Sequence, residues 1–286
     1  MSRGEQRGSA MHAGVLDGDV LNDGVLNDGV LSRVTGVFAE PLSPAFVDPV
    51  HDAQATFRAL LQAMSSPGTT VALPVQLPGA QAAGLCPALA ALVLTLCDVD
   101  TPLHWPALSP AGRAWLRFHV GAPLLGDRAD SADHADRADH ADGADGADTA
   151  ASADAADSAT AAALAIARFV VALDTPPALA LLESGSDEAP ETSATLLLRL
   201  PRLDGGTLMQ WHGPGIERPL TVALPVPASF WADWRAQHAR FPLGVDVIAT
   251  DGRHLLALPR TTQVAAQAGS QVGAPGRAPS SDPECG

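Results

Sequence analysis

The residues able to do chemistry stand where apolar runs end. Arg117 and His119 are interleaved with Trp115, Leu116, Phe118 and Val120. If Trp115–Phe118 is a strand, Arg117 and His119 share one face. A guanidinium beside an imidazole suits a phosphate or phosphonate oxyanion. The same Arg can instead pair with a carboxylate in a sheet or interface. Arg260, followed by Thr261 and Thr262, offers a cation and two hydroxyls to an anion. It also fits an edge-strand exit whose Thr side chains bond locally. Asp98 and Asp100 stand two residues apart before Thr101-Pro102, a spacing able to hold Mg²⁺. Their other reading is a helix-ending turn fixed by local hydrogen bonds. Asp246, which closes the run Phe241-Pro242-Leu243-Gly244-Val245, is likewise a turn or metal residue. Gly205-Gly206 and Gly213-Pro214-Gly215-Ile216 have the composition of a phosphate-approaching loop. Without a Lys or a following helix, tight turns are the simpler reading.

The chain narrows these options by what it omits. Its 286 residues include 17 basic ones, all of them Arg. With no Lys, no pyridoxal-phosphate aldimine and no complete Walker A loop can form. There is no GxSxG, HExxH, CxxC pair or GxGxxG. A net charge of -15 makes nucleic acid and anionic lipid poor partners. No apolar stretch reaches the length of a membrane span. Cys86, Cys97 and Cys285 make an odd, scattered set, which fits a reducing compartment. A helix through Cys86 and Cys97 separates them by about 16 Å, too far for a disulfide. With no apolar signal core near the start, the expected location is cytoplasmic.

Residues 1–44 carry a five-residue repeat, VLDGD-VLNDG-VLNDG-VL, and read as a disordered extension. Residues 126–160 repeat Ala-Asp plus a variable residue with a period of three. That period suits neither helix nor strand, and the stretch lacks large apolar side chains, so it reads as a disordered insert. Its ten Asp and two Arg carry -8 of the chain's -15. His134 and His140 among them permit a metal reading, against which the like charges simply repel and solvate. Residues 265–286 read as a tail, leaving 45–264 as the folded domain.

Within that domain Asp48 and Pro49 start a helix, with Ala53, Phe57, Leu60, Leu61 and Met64 on one face. Cys86–Cys97 reads as a buried helix and Ala228–His238 as a second one after Pro225-Val226-Pro227. Short strands fall at Thr69–Leu73, Leu103–Trp105, Trp115–Phe118, Phe169–Leu173, Thr195–Leu200, Leu208–Trp211 and Leu220–Leu224. Val245–Thr250 and Arg253–Leu258, joined by Asp251-Gly252, predict a two-residue hairpin with a type I′ turn. Helices and strands interleave, so the class is α/β or mixed α+β.

These blocks, in this order, resemble the PhnH family, a subunit of the phosphonate C–P lyase system. The matching segments are His51-Asp52-Ala53-Gln54 to Phe57-Arg58, Ala63-Met64-Ser65-Ser66-Pro67-Gly68, and Leu94 to Pro102 through Cys97-Asp98-Val99-Asp100-Thr101. They continue with Leu116-Arg117-Phe118-His119 and Ala122-Pro123-Leu124, both glycine runs, Phe241 to Asp246, and Leu258-Pro259-Arg260-Thr261-Thr262. Gln263 departs from the pattern where a His would be sought. The resemblance implies a three-layer α/β fold, a mixed sheet with flanking helices. That fold looks like a pyridoxal-phosphate-dependent transferase without the cofactor.

It also implies a homodimer assembled with subunits G, I and J into the C–P lyase core complex. With G, I and L, the family supports transfer of ribose triphosphate from ATP to methylphosphonate. Adenine displacement is attributed to subunit I and radical C–P cleavage to subunit J. The expected role is therefore assembly, with no independent active site, cofactor or metal. The alternative is a stand-alone enzyme or binding protein for a phosphorylated or phosphonate ligand, through Arg117, His119 and Arg260. A third reading makes the acidic insert a partner- or cation-binding tether.

Overall fold

Asp48 and Pro49 start the first helix as their residue types require. In the computed structural model the Asp48 carboxylate accepts from the His51 backbone N–H at 3.0 Å, and Pro49 opens helix α1, Pro49–Ser65. The structure describes residues 45–106, 108–126 and 149–266. The N-terminal repeat, the Asp-rich stretch from 127 to 148 with His134 and His140, and the tail beyond 266 lie outside the described residues.

After α1 come β1 (Val71–Ala72), α2 (Pro78–Ala82), α3 (Pro87–Leu96), β2 (Leu103–His104), α4 (Pro110–His119) and α5 (Thr149–Ile166). Then follow β3 (Phe169–Leu173), β4 (Thr195–Arg199), β5 (Thr207–Gly213), β6 (Ile216–Leu224), α6 (Ala228–His238), β7 (Asp246–Thr250), β8 (His254–Leu258) and β9 (Gln263–Ala266). Six strands form one mixed sheet in the order β1-β8-β7-β4-β3-β2. β2, β3, β4 and β7 run parallel, and β8 pairs antiparallel with both β7 and β1. A second, antiparallel sheet has the order β6-β5-β9.

The main sheet is covered on both faces. Parallel strands so covered read as nearly continuous apolar runs, as Phe169–Leu173 and Thr195–Leu198 do. Val171, Leu197, Ile248, Leu255 and Ala257 pack into one core with α1, α3 and α4. The alternate residues Val170, Leu196, Leu198, Val247 and Leu256 pack into a second core with Leu164, Trp211, Val222, Phe230 and Trp234. The layers are therefore helices, main sheet, then helices with the small sheet. This is the expected α/β class with a mixed sheet and flanking helices.

Several local expectations are corrected. Trp115–Phe118 belongs to helix α4. Ser109 caps that helix by accepting from Gly112 N at 3.0 Å, and Pro110 is its first residue. Residues 116, 118 and 120 fit a strand alternation only if this start signal is ignored. The Asp-rich stretch is helical from Thr149 onward, because Ala replaces the strict period-three Asp there. On α1 the buried face is Thr56, Ala59, Leu60 and Ala63, with Phe57 44% and Leu61 51% exposed. Small side chains beside Leu60 let α1 lie close on the Ala-rich α3, while Phe57 and Leu61 point away. The β7–β8 hairpin exists, but four residues separate the paired Thr250 and Leu255. Of Asp251 and Gly252 only Gly252 has positive φ, whereas a type I′ turn needs both.

The glycine runs are turns. Gly213 and Gly215 close the β5–β6 hairpin, and a Cβ on Gly215 would collide with the Ser65 carbonyl at the end of α1.

Candidate functional site

The sequence-predicted polar residues fall into separate places. Asp98 follows α3, where its Oδ1 accepts from Thr101 Oγ1 at 2.6 Å and from Asp100 N at 3.1 Å. These local donors hold the Asp98 carboxyl below its usual pKa: first the Thr101 hydroxyl, then the Asp100 N–H. Asp98 and Asp100 thus build a turn. Among the described residues no three His, Cys, Asp or Glu side chains converge to hold a metal ion.

Arg117 and His119 lie in the last turn of α4. At two residues apart on a helix they point to different sides, so they do not form the joint face expected of a strand. The His119 ring packs on Trp115 at 4.6 Å and edge-on to Phe118 at 4.9 Å.

Arg260 and Asp246 are brought together, which the sequence did not announce. Arg260 Nη2 donates to Asp246 Oδ2 at 2.8 Å, and the Arg260 backbone N–H donates to Asp246 Oδ1 at 2.7 Å. Nε approaches Oδ1 at 3.4 Å, and Nη1 donates to the Pro190 carbonyl at 2.6 Å. Both side chains are mostly buried, at 17% and 16% exposure. The guanidinium is thereby occupied by the protein itself. Thr262 is fully buried beside it, its carbonyl accepting from Trp234 Nε1 at 3.0 Å, while Thr261 is half-buried. Arg117, His119 and Arg260 line none of the three clefts of about 640, 390 and 590 Å³ among the described residues.

A cleft lies elsewhere, at the carboxyl edge of the parallel strands. It has a volume of about 640 Å³. Leu173 ends β3 there, Arg199 ends β4, and Asp251, Gly252 and Arg253 follow β7. Opposite them stand Cys86 and Ser109, the residues before α3 and α4. Ser109 Oγ donates to the Ala83 carbonyl at 3.1 Å, tying the start of α4 to the loop before α3. Gly252 at φ 98° lets the β7–β8 turn come down over α3, where an added Cβ would sit 3.9 Å from Cys86 Sγ.

Asp251 organises the turn. Its Oδ1 accepts from the N–H groups of Arg253 and His254, each at 2.8 Å, and its Oδ2 faces His254 Nδ1 at 2.9 Å. Burial alone would raise its pKa, but these donors outweigh it and hold the carboxyl below its usual value. Arg199 meets Asp174 only at 3.8 Å, with 43% and 55% of the two side chains exposed.

His51, His104, His238 and His254 each direct Nδ1 to a carboxylate or carbonyl oxygen. None of these contacts joins a histidine to a hydroxyl or thiol nucleophile. His104, on β2, donates to the Leu125 carbonyl, and burial lowers its pKa below the ordinary 6.5.

With this geometry in hand, relatives place the chain. It matches the family described as bacterial phosphonate metabolism protein (PhnH), over residues 44–160 and 135–265. The chain belongs to the PhnH family. It is 32% identical over 226 residues to the alpha-D-ribose 1-methylphosphonate 5-triphosphate synthase subunit PhnH of Rhizobium meliloti (strain 1021). That match covers 78% of this chain and 94% of the relative. It is also 28% identical over 237 residues to the putative C-P lyase subunit protein HtxG of Stutzerimonas stutzeri, covering 80% of this chain and 95% of that one. The blocks that carried the PhnH resemblance thus belong to a relationship spanning the described fold. No helix among the described residues is long and apolar enough to cross a membrane.

Proposed function

We infer that this PhnH-family chain is a subunit of a carbon–phosphorus lyase system in organic phosphonate catabolism. Its role is to support the synthase that places ribose triphosphate on methylphosphonate. The observation that carries this reading is the 32% identity over 94% of a relative named as that synthase subunit. A second relative, named as a putative C-P lyase subunit, supports the same assignment.

The chain acts chiefly by assembly. It forms a homodimer in the cytoplasm and joins subunits G, I and J, with L acting in the same pathway. Supporting this, Arg260 is paired internally with Asp246, and His104 and His238 direct Nδ1 to backbone carbonyls. The architecture is read as that of a pyridoxal-phosphate-dependent transferase without its cofactor. The residues do not fit that cofactor, because a chain without Lys offers no amine for the covalent link.

Deleting the gene in its own host tests the reading. The mutant fails to grow with methylphosphonate as sole phosphorus source and grows normally on inorganic phosphate. Equal growth of mutant and parent on methylphosphonate refutes the assignment.

A further inference from the structure

We propose that the cleft at the carboxyl edge of the main sheet binds a phosphoryl-class oxyanion between Arg199 and Arg253. The inference stands on the cleft itself and does not depend on the chain's assembly with other subunits.

Position is the first argument. Open α/β sheets bind ligands outside the carboxyl ends of their parallel strands. Here β3 and β4 deliver Leu173 and Arg199 to that edge, and the turn after β7 delivers Arg253.

Charge is the second. A guanidinium presents planar paired donors that match phosphoryl oxygens. Asp251, two residues before Arg253 and also lining the cleft, is already taken up by two backbone N–H groups and His254. Among the described residues no ion pair joins Arg253 to a carboxylate. The Arg199–Asp174 pair, long and half-exposed, is weak enough to yield to a ligand.

The third argument is the start of α3. Cys86 supplies no side-chain cap, whereas Ser109 caps α4. Cys86 and Pro87, which open α3, line the cleft, so the positive end of that helix's dipole lies beside it. An anion in the cleft adds to the favourable field at that end. Arginine pair, uncapped helix start and open volume thus converge on one space. At about 640 Å³ it admits a single phosphoryl group or a short polyphosphate chain.

Calorimetry on the full-length chain with inorganic phosphate, methylphosphonate and tripolyphosphate is the test. Saturable binding is expected, weakened about ten- to a hundredfold by Arg199→Gln and by Arg253→Gln. Arg202→Gln, whose Arg pairs with Asp204 outside the cleft, leaves affinity unchanged. A preference for tripolyphosphate assigns the cleft to a polyphosphate chain, and equal affinities assign it to one phosphoryl group. Either pattern, if lost with the arginines, supports the site.

A second readout uses Cys86 in a Cys285→Ser chain. Burial, helped by Asp98, pushes the Cys97 thiol up to about 12, so it stays protonated and unreactive at pH 8. Alkylation then reports Cys86, and the bound anion slows it. No binding of any of the three anions at millimolar concentration overturns the proposal. So does binding as strong in both arginine variants as in the unaltered chain.

Discussion

Replacing Arg260 with Ala destabilises the fold by about 3–5 kcal/mol, because it strands a buried carboxylate. Asp246 loses the Nη2 bond at 2.8 Å and the Nε contact at 3.4 Å, keeping only the backbone donor of residue 260. The Pro190 carbonyl loses its 2.6 Å donor as well. Asp246→Ala is comparably costly, since it leaves the guanidinium facing a wall with no counter-charge. Arg260→Lys recovers little, because one ammonium cannot reach both carboxylate oxygens and Pro190 together. Changing both partners, Asp246→Leu with Arg260→Met, costs much less than the sum of the single changes. Urea unfolding of the unaltered chain, of Asp246→Leu, of Arg260→Met and of their combination measures this coupling. A cost below about 1 kcal/mol for Arg260→Ala would place the pair with ordinary surface ion pairs and contradict the geometry.

Trp234→Ala destabilises by about 3–5 kcal/mol, the range for emptying a fully buried aromatic site. Trp234 is 0% exposed and stacks on Phe230 with ring centroids 6.3 Å apart. Its Nε1 donates to the Thr262 carbonyl at 3.0 Å, tying α6 to the strand exit that carries Arg260. Trp234→Phe separates the two contributions. It keeps most of the packing but removes the donor, at a cost of about 1–3 kcal/mol. Thermal or urea unfolding reads both values. Equal stability of the Ala and Phe variants would mean that the indole does not fill this core.

What the sequence made legible was local. Asp48-Pro49 and Pro225-Val226-Pro227 mark helix starts through backbone constraints that survive any tertiary context, and α1 and α6 begin there. The apolar runs of β3 and β4 are what a strand covered on both faces demands. Helix α4 was missed because its apolar spacing satisfies two periods, and only Ser109-Pro110 separates them.

The Arg260–Asp246 pair was within reach. A hairpin whose register joins Val247 to Leu258 must bring the residues just outside it together. The cleft was not. Cys86, Ser109, Arg199 and Arg253 are scattered along the chain, and the order of strands in the sheet alone assembles them. One sign was present: Arg199 ends a strand whose three preceding residues are all Leu. A charge placed there by the last residue of a buried strand marks the sheet edge.

The most direct measurement of the chain's role is co-purification. The full-length chain is co-expressed with subunits G, I and J of its own system, with a tag on subunit J alone. Assembly predicts that it is retained in stoichiometric amount through affinity and size-exclusion steps. A folded chain that elutes alone, while another PhnH-family member is retained by the same partners, would contradict the account.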